Sequence, residues 1–427
     1  MPTQLGALTT LQEINLGGNE LSGSLPTQLG ALSFLTELDL EGNTLMSGTM
    51  PTQLGALTAL RAMYLGENDL SGSLPMQLWA LTALEVVHLE DNELSGSLST
   101  QLGSLTFLTE LDLEGNVLSG SLPTQLGALT ALTEMHLGET EQSGSLPTQL
   151  GALTALESMQ LQKRPERLKV GGSSGNGFNR SLLSGTMPTQ LGVLTTLNFL
   201  NLEKNELSGS LPAQLGMLAA LKEVHLGQNE LSGSLPTQLG ALICLTEMEL
   251  EDNDLSGSLP TQLGTLTALR AMSLSLWTLS KGWILTVDSD KKTVLSGSLP
   301  TQFGALTSLT DMHLQHNDLS GSLPTQLGAL TVLTDMYLQR NELSGSLPTQ
   351  LGALTCLTEM YLETNELSGS LPTQFGVLTA LEDMSLGDNH LSGSLPTQLG
   401  VLTMTHEVYK DTMTLEPGIT MTLEPGT

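Results

Sequence analysis

One 24-residue unit is written sixteen times in this chain, from Pro2 to the copy that begins at Pro396. It reads Pro-Thr-Gln-Leu-Gly-Ala-Leu-Thr-x-Leu-x-x-Leu/Met-x-Leu-x-x-Asn-x-Leu-Ser-Gly-Ser-Leu, with Ser99 replacing proline once. Self-similarity at such a period means stacked units, each packing on its neighbours. The usual expectation of one domain per ~100–200 residues therefore fails. The repeats define one elongated domain over residues 1–403, about fifteen units and a partial one.

Within the unit starting at Pro26, the apolar positions are Leu29, Leu32, Leu35, Leu38, Leu40 and Leu45, and a one-residue insertion near Met46 follows. Leu35-x-x-Leu38-x-Leu40 ends in alternation, the pattern of a short half-buried strand. Pro26 suits the first position of a helical turn, where its missing N–H is not needed. Gly30 and Leu32 fit a brief helical or 3₁₀ segment, Asn43 a turn, and Leu-Ser-Gly-Ser-Leu-Pro an extended return. One unit cannot bury so many leucines alone, whereas stacked units pair their strands into a parallel sheet over a continuous core. At ~4.8 Å per strand, fifteen units span on the order of 70 Å.

Leu108 to Pro123 carries the run Leu-x-x-Leu-x-Leu-x-x-Asn-x-Leu-Ser-Gly-Ser-Leu-Pro intact, and Leu357 to Pro372 repeats it with Met360 at the middle strand position. This run resembles the plant-type leucine-rich repeat, with Leu where that family has Ile before the proline. The resemblance implies an α/β right-handed leucine-rich repeat solenoid, or horseshoe. A parallel β-sheet would line its concave face, with short helical/3₁₀ segments on the convex side. It also implies that Asn19, Asn43, Asn68, Asn92, Asn116 and their equivalents to Asn389 hydrogen-bond backbone groups between coils. Ectodomains of plant-type receptor-like kinases have this appearance, and the paired-cysteine caps of secreted relatives are missing here.

Acidic residues number 44 against 14 basic, a formal charge of −30. Nucleic-acid binding needs clustered Lys and Arg to release counterions, so no nucleic-acid partner is expected. No apolar run of about 18 residues marks a membrane span, and no basic-then-apolar leader opens the chain. Met1 precedes Pro2-Thr3-Gln4-Leu5-Gly6 as Met50 precedes Pro51-Thr52-Gln53-Leu54-Gly55. The chain therefore reads as part of a longer array without polar caps. Cys244 and Cys356 stand four units apart, on the order of 19 Å by strand spacing, too far for a disulfide. Both read as core filler, in a slot otherwise held by Ala, Thr, Val, Ser or Phe. Nine middle strand positions carry Met, from Met63 to Met384, also as core filler.

Repeats that agree at leucine, glycine and proline differ where strand side chains point away from the core. One column collects Tyr64, His88, His136, His225, His313, Tyr337 and Tyr361, which are three of the four tyrosines and four of the seven histidines. Such side chains offer apolar area with a polar handle, as recognition surfaces do, or are merely tolerated on an exposed strand. Two residues earlier stands an acidic column with an unbroken run of Asp311, Asp335, Glu359 and Asp383. At ~5 Å spacing, repulsion is only ~0.8 kcal/mol per pair in water. The column is either a solvated ladder or a strip attracting a basic peptide or divalent cations.

Two insertions interrupt the frame, residues 163–179 and 276–291. The first is basic and Gly/Ser-rich. The second holds Trp277 and Trp283, and forms either an island that helps build a ligand pocket or a neutral loop. Gly171 to Gly177 lacks the Lys-Ser/Thr ending of a phosphate loop. His313-x-x-His316 lacks a third ligand at suitable spacing, so no metal is expected. No nucleophile elbow, zinc-protease helix motif or kinase signature occurs, and no catalytic residue or cofactor is expected. The tail, 404–427, ends in a doubled Thr-Met-Thr-Leu-Glu-Pro-Gly octamer and is expected to be disordered.

The leading reading is a non-catalytic module that binds a protein or basic peptide on its concave face. It would be the sensing part of a receptor-like signalling protein, extracellular or at the cell surface. The alternative is a structural or adhesive scaffold without a dedicated ligand, with a cytoplasmic location open to it.

Overall fold

The computed structural model describes residues 3–163, 182–275 and 294–401; Trp277, Trp283, nearly all of both insertions and the tail lie outside the described residues. Each coil makes one circuit of three short elements, for example strand Glu37–Asp39, strand Leu45–Thr49 and the 3₁₀ turn Thr52–Ala56. Stacking joins the first strands into one fifteen-stranded parallel sheet and the second strands into another. The sequence reading anticipated the first sheet only. The second is built by Leu-Ser-Gly-Ser, whose glycine takes φ values near +80°, as at Gly72 (79°), which an L side chain rarely adopts.

Between the sheets and the 3₁₀ turns lies a single leucine core in which Leu29, Leu32, Leu35, Leu38 and Leu40 are all fully buried. Of the nine middle-strand methionines, Met63 through Met360 are buried there too. Both sheets run unbroken past the insertions. Ser158–Gln160 pairs directly with Phe199–Asn201, and Ala271–Ser273 with Asp311–His313. No helix among the described residues is long and apolar enough to cross a membrane.

The asparagine ladder stitches coil to coil. Asn92 Nδ2 donates to Leu65 O of the preceding coil (2.9 Å) and to Leu89 O of its own (3.2 Å), while its Oδ1 accepts from Leu70 N (2.9 Å). A second ladder, of threonines before the first strand, escaped the sequence reading. Thr334 Oγ1 donates to Thr310 O, and Thr358 Oγ1 to Thr334 O, each at 3.0 Å. Glycine in Gln-Leu-Gly is required by close approach: a Cβ on Gly30 would stand 2.3 Å from Gln53 O of the next coil.

Three local expectations need correction. Leu45 is 56% exposed and Met46 fully buried, because the inserted residue shifts the core slot one place along the strand. Cys244 and Cys356 are exposed, not core filler. Their slot lies in the tight turn between the 3₁₀ segment and the strand, where Phe34 and Phe107 are also 62% and 65% exposed. Pro26 sits one residue ahead of its 3₁₀ turn in extended conformation, and its carbonyl accepts from Leu29 N (3.1 Å).

Candidate functional site

In a strand only alternate residues share a face, so each Glu/Asp-x-Tyr/His strand presents a carboxylate and a ring on the same side. Parallel pairing without stagger then aligns these side chains from coil to coil. Asp311, Asp335, Glu359 and Asp383 are consecutive register partners, and so are His313, Tyr337 and Tyr361. The Tyr337 and Tyr361 rings stack with centroids 4.9 Å apart and planes 13° from parallel. His313 meets Tyr337 edge-on at 4.5 Å, and the Tyr337 hydroxyl donates to Glu359. The result is a three-ring strip edged by four carboxyl groups.

Charge along this strip is restrained by burial and crowding. Asp335 is pushed up to about 6, by burial first and then by the hydrogen bond and charge of Asp311. Burial, with Glu359 as its hydrogen-bond partner, raises the Tyr337 phenol, and burial beside Asp383 lifts Tyr361 to about 12. Burial also lowers His313 against the pull of Asp311, Glu359 and Glu249, keeping its ring neutral. The strip thus offers flat aromatic faces, a neutral imidazole and carboxylates, which together suit cationic and apolar side chains of an extended chain.

The remaining residues singled out in the sequence fall in three separate places on the same sheet. Tyr64 and His88 meet edge-on at 5.2 Å, with His88 Nε2 3.2 Å from Glu110 Oε2. His136 is held on both sides, by Asp112 (3.2 Å) at Nδ1 and by Ser158 and Gln160 (both 3.1 Å) at Nε2. His225 Nδ1 lies 2.5 Å from Glu249 Oε2, and its ring packs on Phe199 at 5.4 Å.

One feature of the face was missed, although a signal existed. Just past the first strand, a glycine in one coil makes room for a long polar side chain from the next. A Cβ on Gly66 would stand 2.2 Å from Glu90 Oε1, and one on Gly227 would stand 2.5 Å from Glu251 Oε1. Both carboxyl groups are pushed up to about 7 by burial. Over Gly138 the occupant is Gln162, whose Nε2 reaches Glu114 Oε1 (3.2 Å) two coils away. The sequence signal is the recurring Glu, Gly, Glu/Gln order at this position in successive coils.

Coils of this kind make the chain a leucine-rich repeat solenoid, and the profile of the Leucine Rich Repeat family matches residues 10–32 and 107–129. Among solved structures it is similar to the plant peptide hormone receptor RGFR1 in complex with RGF2 (29% identity, TM-score 0.72, covering 94% of this chain and 67% of that one). It is also similar to a TDR receptor (28% identity, TM-score 0.74, 93% and 67%). A third is the LRR ectodomain of the Arabidopsis receptor kinase HAESA in complex with an N-terminally extended IDA peptide hormone ligand (29% identity, TM-score 0.73, 95% and 66%). The chain spans about two thirds of the length of these structures. No curated protein sequence matches it.

Proposed function

We propose that this chain is a non-catalytic module that binds an extended peptide with basic side chains along its concave sheet, as the sensing part of a receptor-like protein at the cell surface. The observation that carries this reading is the stacked Tyr337–Tyr361 pair set in register beside Asp311, Asp335, Glu359 and Asp383. Rings already stacked lose little freedom on binding and give a peptide a pre-formed apolar floor. The carboxylates beside them select Lys or Arg and steer their approach. The similarity to peptide hormone receptors supports the same class of ligand.

The test is an array of extended peptides, basic and acidic, probed with the whole chain and with Y337A/Y361A. Basic peptides should be retained by the wild type, and the double variant should lose at least about tenfold in affinity, as when interface aromatics are truncated. Equal retention by both proteins, or none by either, would sink the peptide reading and favour a scaffold built for length.

A further inference from the structure

We propose that Glu223, His225 and Glu247 form a binding site for a divalent transition-metal ion of the zinc class, with Glu249 as the carboxylate that orients the histidine. Glu223 and His225 alternate on one strand, and their register partners on the next are Glu247 and Glu249. One carboxylate oxygen from each of Glu223 and Glu247 and one ring nitrogen of His225 lie within 4.8 Å of one another. Glu249 Oε2 holds His225 Nδ1 at 2.5 Å. Nε2 on the other side of the ring is buried without a hydrogen-bond partner, and a Glu223 oxygen stands 3.6 Å away. A metal-bound histidine has this arrangement: a carboxylate fixes one nitrogen and the ring, leaving the other nitrogen to the ion.

His136 shows what the same column does when no ion is called for. Its register neighbours supply Asp112 on one side and Gln160 on the other, and Ser158 stands where Glu247 stands beside His225. Both nitrogens of His136 are thereby occupied by hydrogen bonds. Around His225 the serine is replaced by a second carboxylate, so Nε2 faces the carboxylates of Glu223 and Glu247 rather than a hydroxyl. Lys204 is engaged in its own ion pair, with Glu203 at 2.6 Å. The group of Glu41, His88 and Glu90 is also compact, with Glu110 on His88 Nε2, but the other nitrogen of that ring is not, like His225 Nε2, buried without a hydrogen-bond partner.

One imidazole and two carboxylates suit Zn²⁺ or Co²⁺, whereas Ca²⁺ and Mg²⁺ favour all-oxygen shells. Three protein ligands leave the fourth position of a tetrahedral ion to water.

Metal-free full-length protein is dialysed against Co²⁺ and, separately, Zn²⁺, and bound metal is counted for the wild type, E223Q/E247Q and E249Q. The wild type should hold one equivalent more than E223Q/E247Q and show the visible absorption of low-coordinate Co²⁺. E249Q, with its ligands intact, should bind about 10–100-fold more weakly. Thermal unfolding in EDTA establishes that the variants fold as the wild type does. No uptake by the wild type, or uptake by E223Q/E247Q equal to it, would overturn the site.

Discussion

Gln142 occupies the core slot that Leu118 fills one coil earlier, and neither its side-chain nitrogen nor its oxygen has a hydrogen-bond partner although both are buried. In the same coil Thr140 replaces the ladder asparagine; its hydroxyl donates to Leu137 O (2.8 Å). Burying an unpaired amide costs about 1–3 kcal/mol. Gln142→Leu should therefore raise stability by about 2 kcal/mol, read as a higher urea midpoint. A lower midpoint would mean that the amide has an unrecognised role.

Removing an intact ladder residue should act in the opposite direction. Asn92→Ala leaves Leu70 N without its side-chain acceptor and removes one of the two amide donors to Leu65 O, which keeps Asn68 Nδ2. The cost should be about 2–4 kcal/mol, since buried backbone groups left unpaired carry their full desolvation penalty. Amide hydrogen exchange should accelerate first at the coils on either side of Asn92, because coupling in a solenoid is between neighbours. Uniform acceleration along the whole array would contradict that locality.

Two glycines should respond very differently to alanine. At Gly30 the new Cβ meets backbone oxygen of Gln53, which cannot yield without moving a coil. At Gly66 it meets the end of the flexible Glu90 side chain, which can swing out. Gly30→Ala should cost about 2–3 kcal/mol and Gly66→Ala under about 1. In an E90A background the Gly66→Ala penalty should vanish. Its persistence would place the strain in the backbone instead.

The stacked tyrosines are coupled, and a double-mutant cycle should measure it. Y337A, Y361A and the double variant, compared in urea, should give an interaction of about 0.5–1.5 kcal/mol, as for other aromatic pairs. Strict additivity would mean that the rings do not keep this geometry in solution.

Asp335 gives the strip a pH dependence of definite sign. Its folded value of about 6 lies above the ordinary 3.8, so the folded state keeps a proton that the unfolded chain has already lost. The stabilisation from this group is complete below about pH 3.8 and disappears as pH rises through about 6. Exposure screens it to under about 1 kcal/mol. The urea midpoint of the wild type relative to D335N should fall across that window and level off above it. A difference that rises with pH would refute the assignment.

The first sheet, the leucine core and the asparagine ladder were legible because each rests on a residue type repeated in nearly every unit. Alternation in Leu35-x-x-Leu38-x-Leu40 fixed which strand side chains point outward, and so placed Tyr337 beside Tyr361. The second sheet was hidden because Leu-Ser-Gly-Ser, rich in small residues, has no strand-like alternation. The cysteine slot was misread because a residue next to a core leucine in sequence can lie in a turn facing solvent, as Cys244 does beside Leu245. The surroundings of His225 depend on how side chains two strands wide converge, which no single repeat states.

The glycine clefts have a consequence for the order of the coils. Glu41, Gly66 and Glu90 stand in successive coils, then Glu114, Gly138 and Gln162, then Glu203, Gly227 and Glu251. The nine coils from Glu41 to Glu251 therefore fall into three triplets, each with a donor or acid on either side of an empty middle, whereas Ser275, Gln315, Gln339 and Glu363 follow with no glycine between them. Excising the Gly66 coil alone would set Glu41 beside Glu90, as Glu90 already stands beside Glu114, and would remove the cleft that receives Glu90; excising three of these coils together would keep the order of neighbours. Within these nine coils, gain or loss in steps of three preserves every glycine cleft, and loss of a glycine coil alone does not.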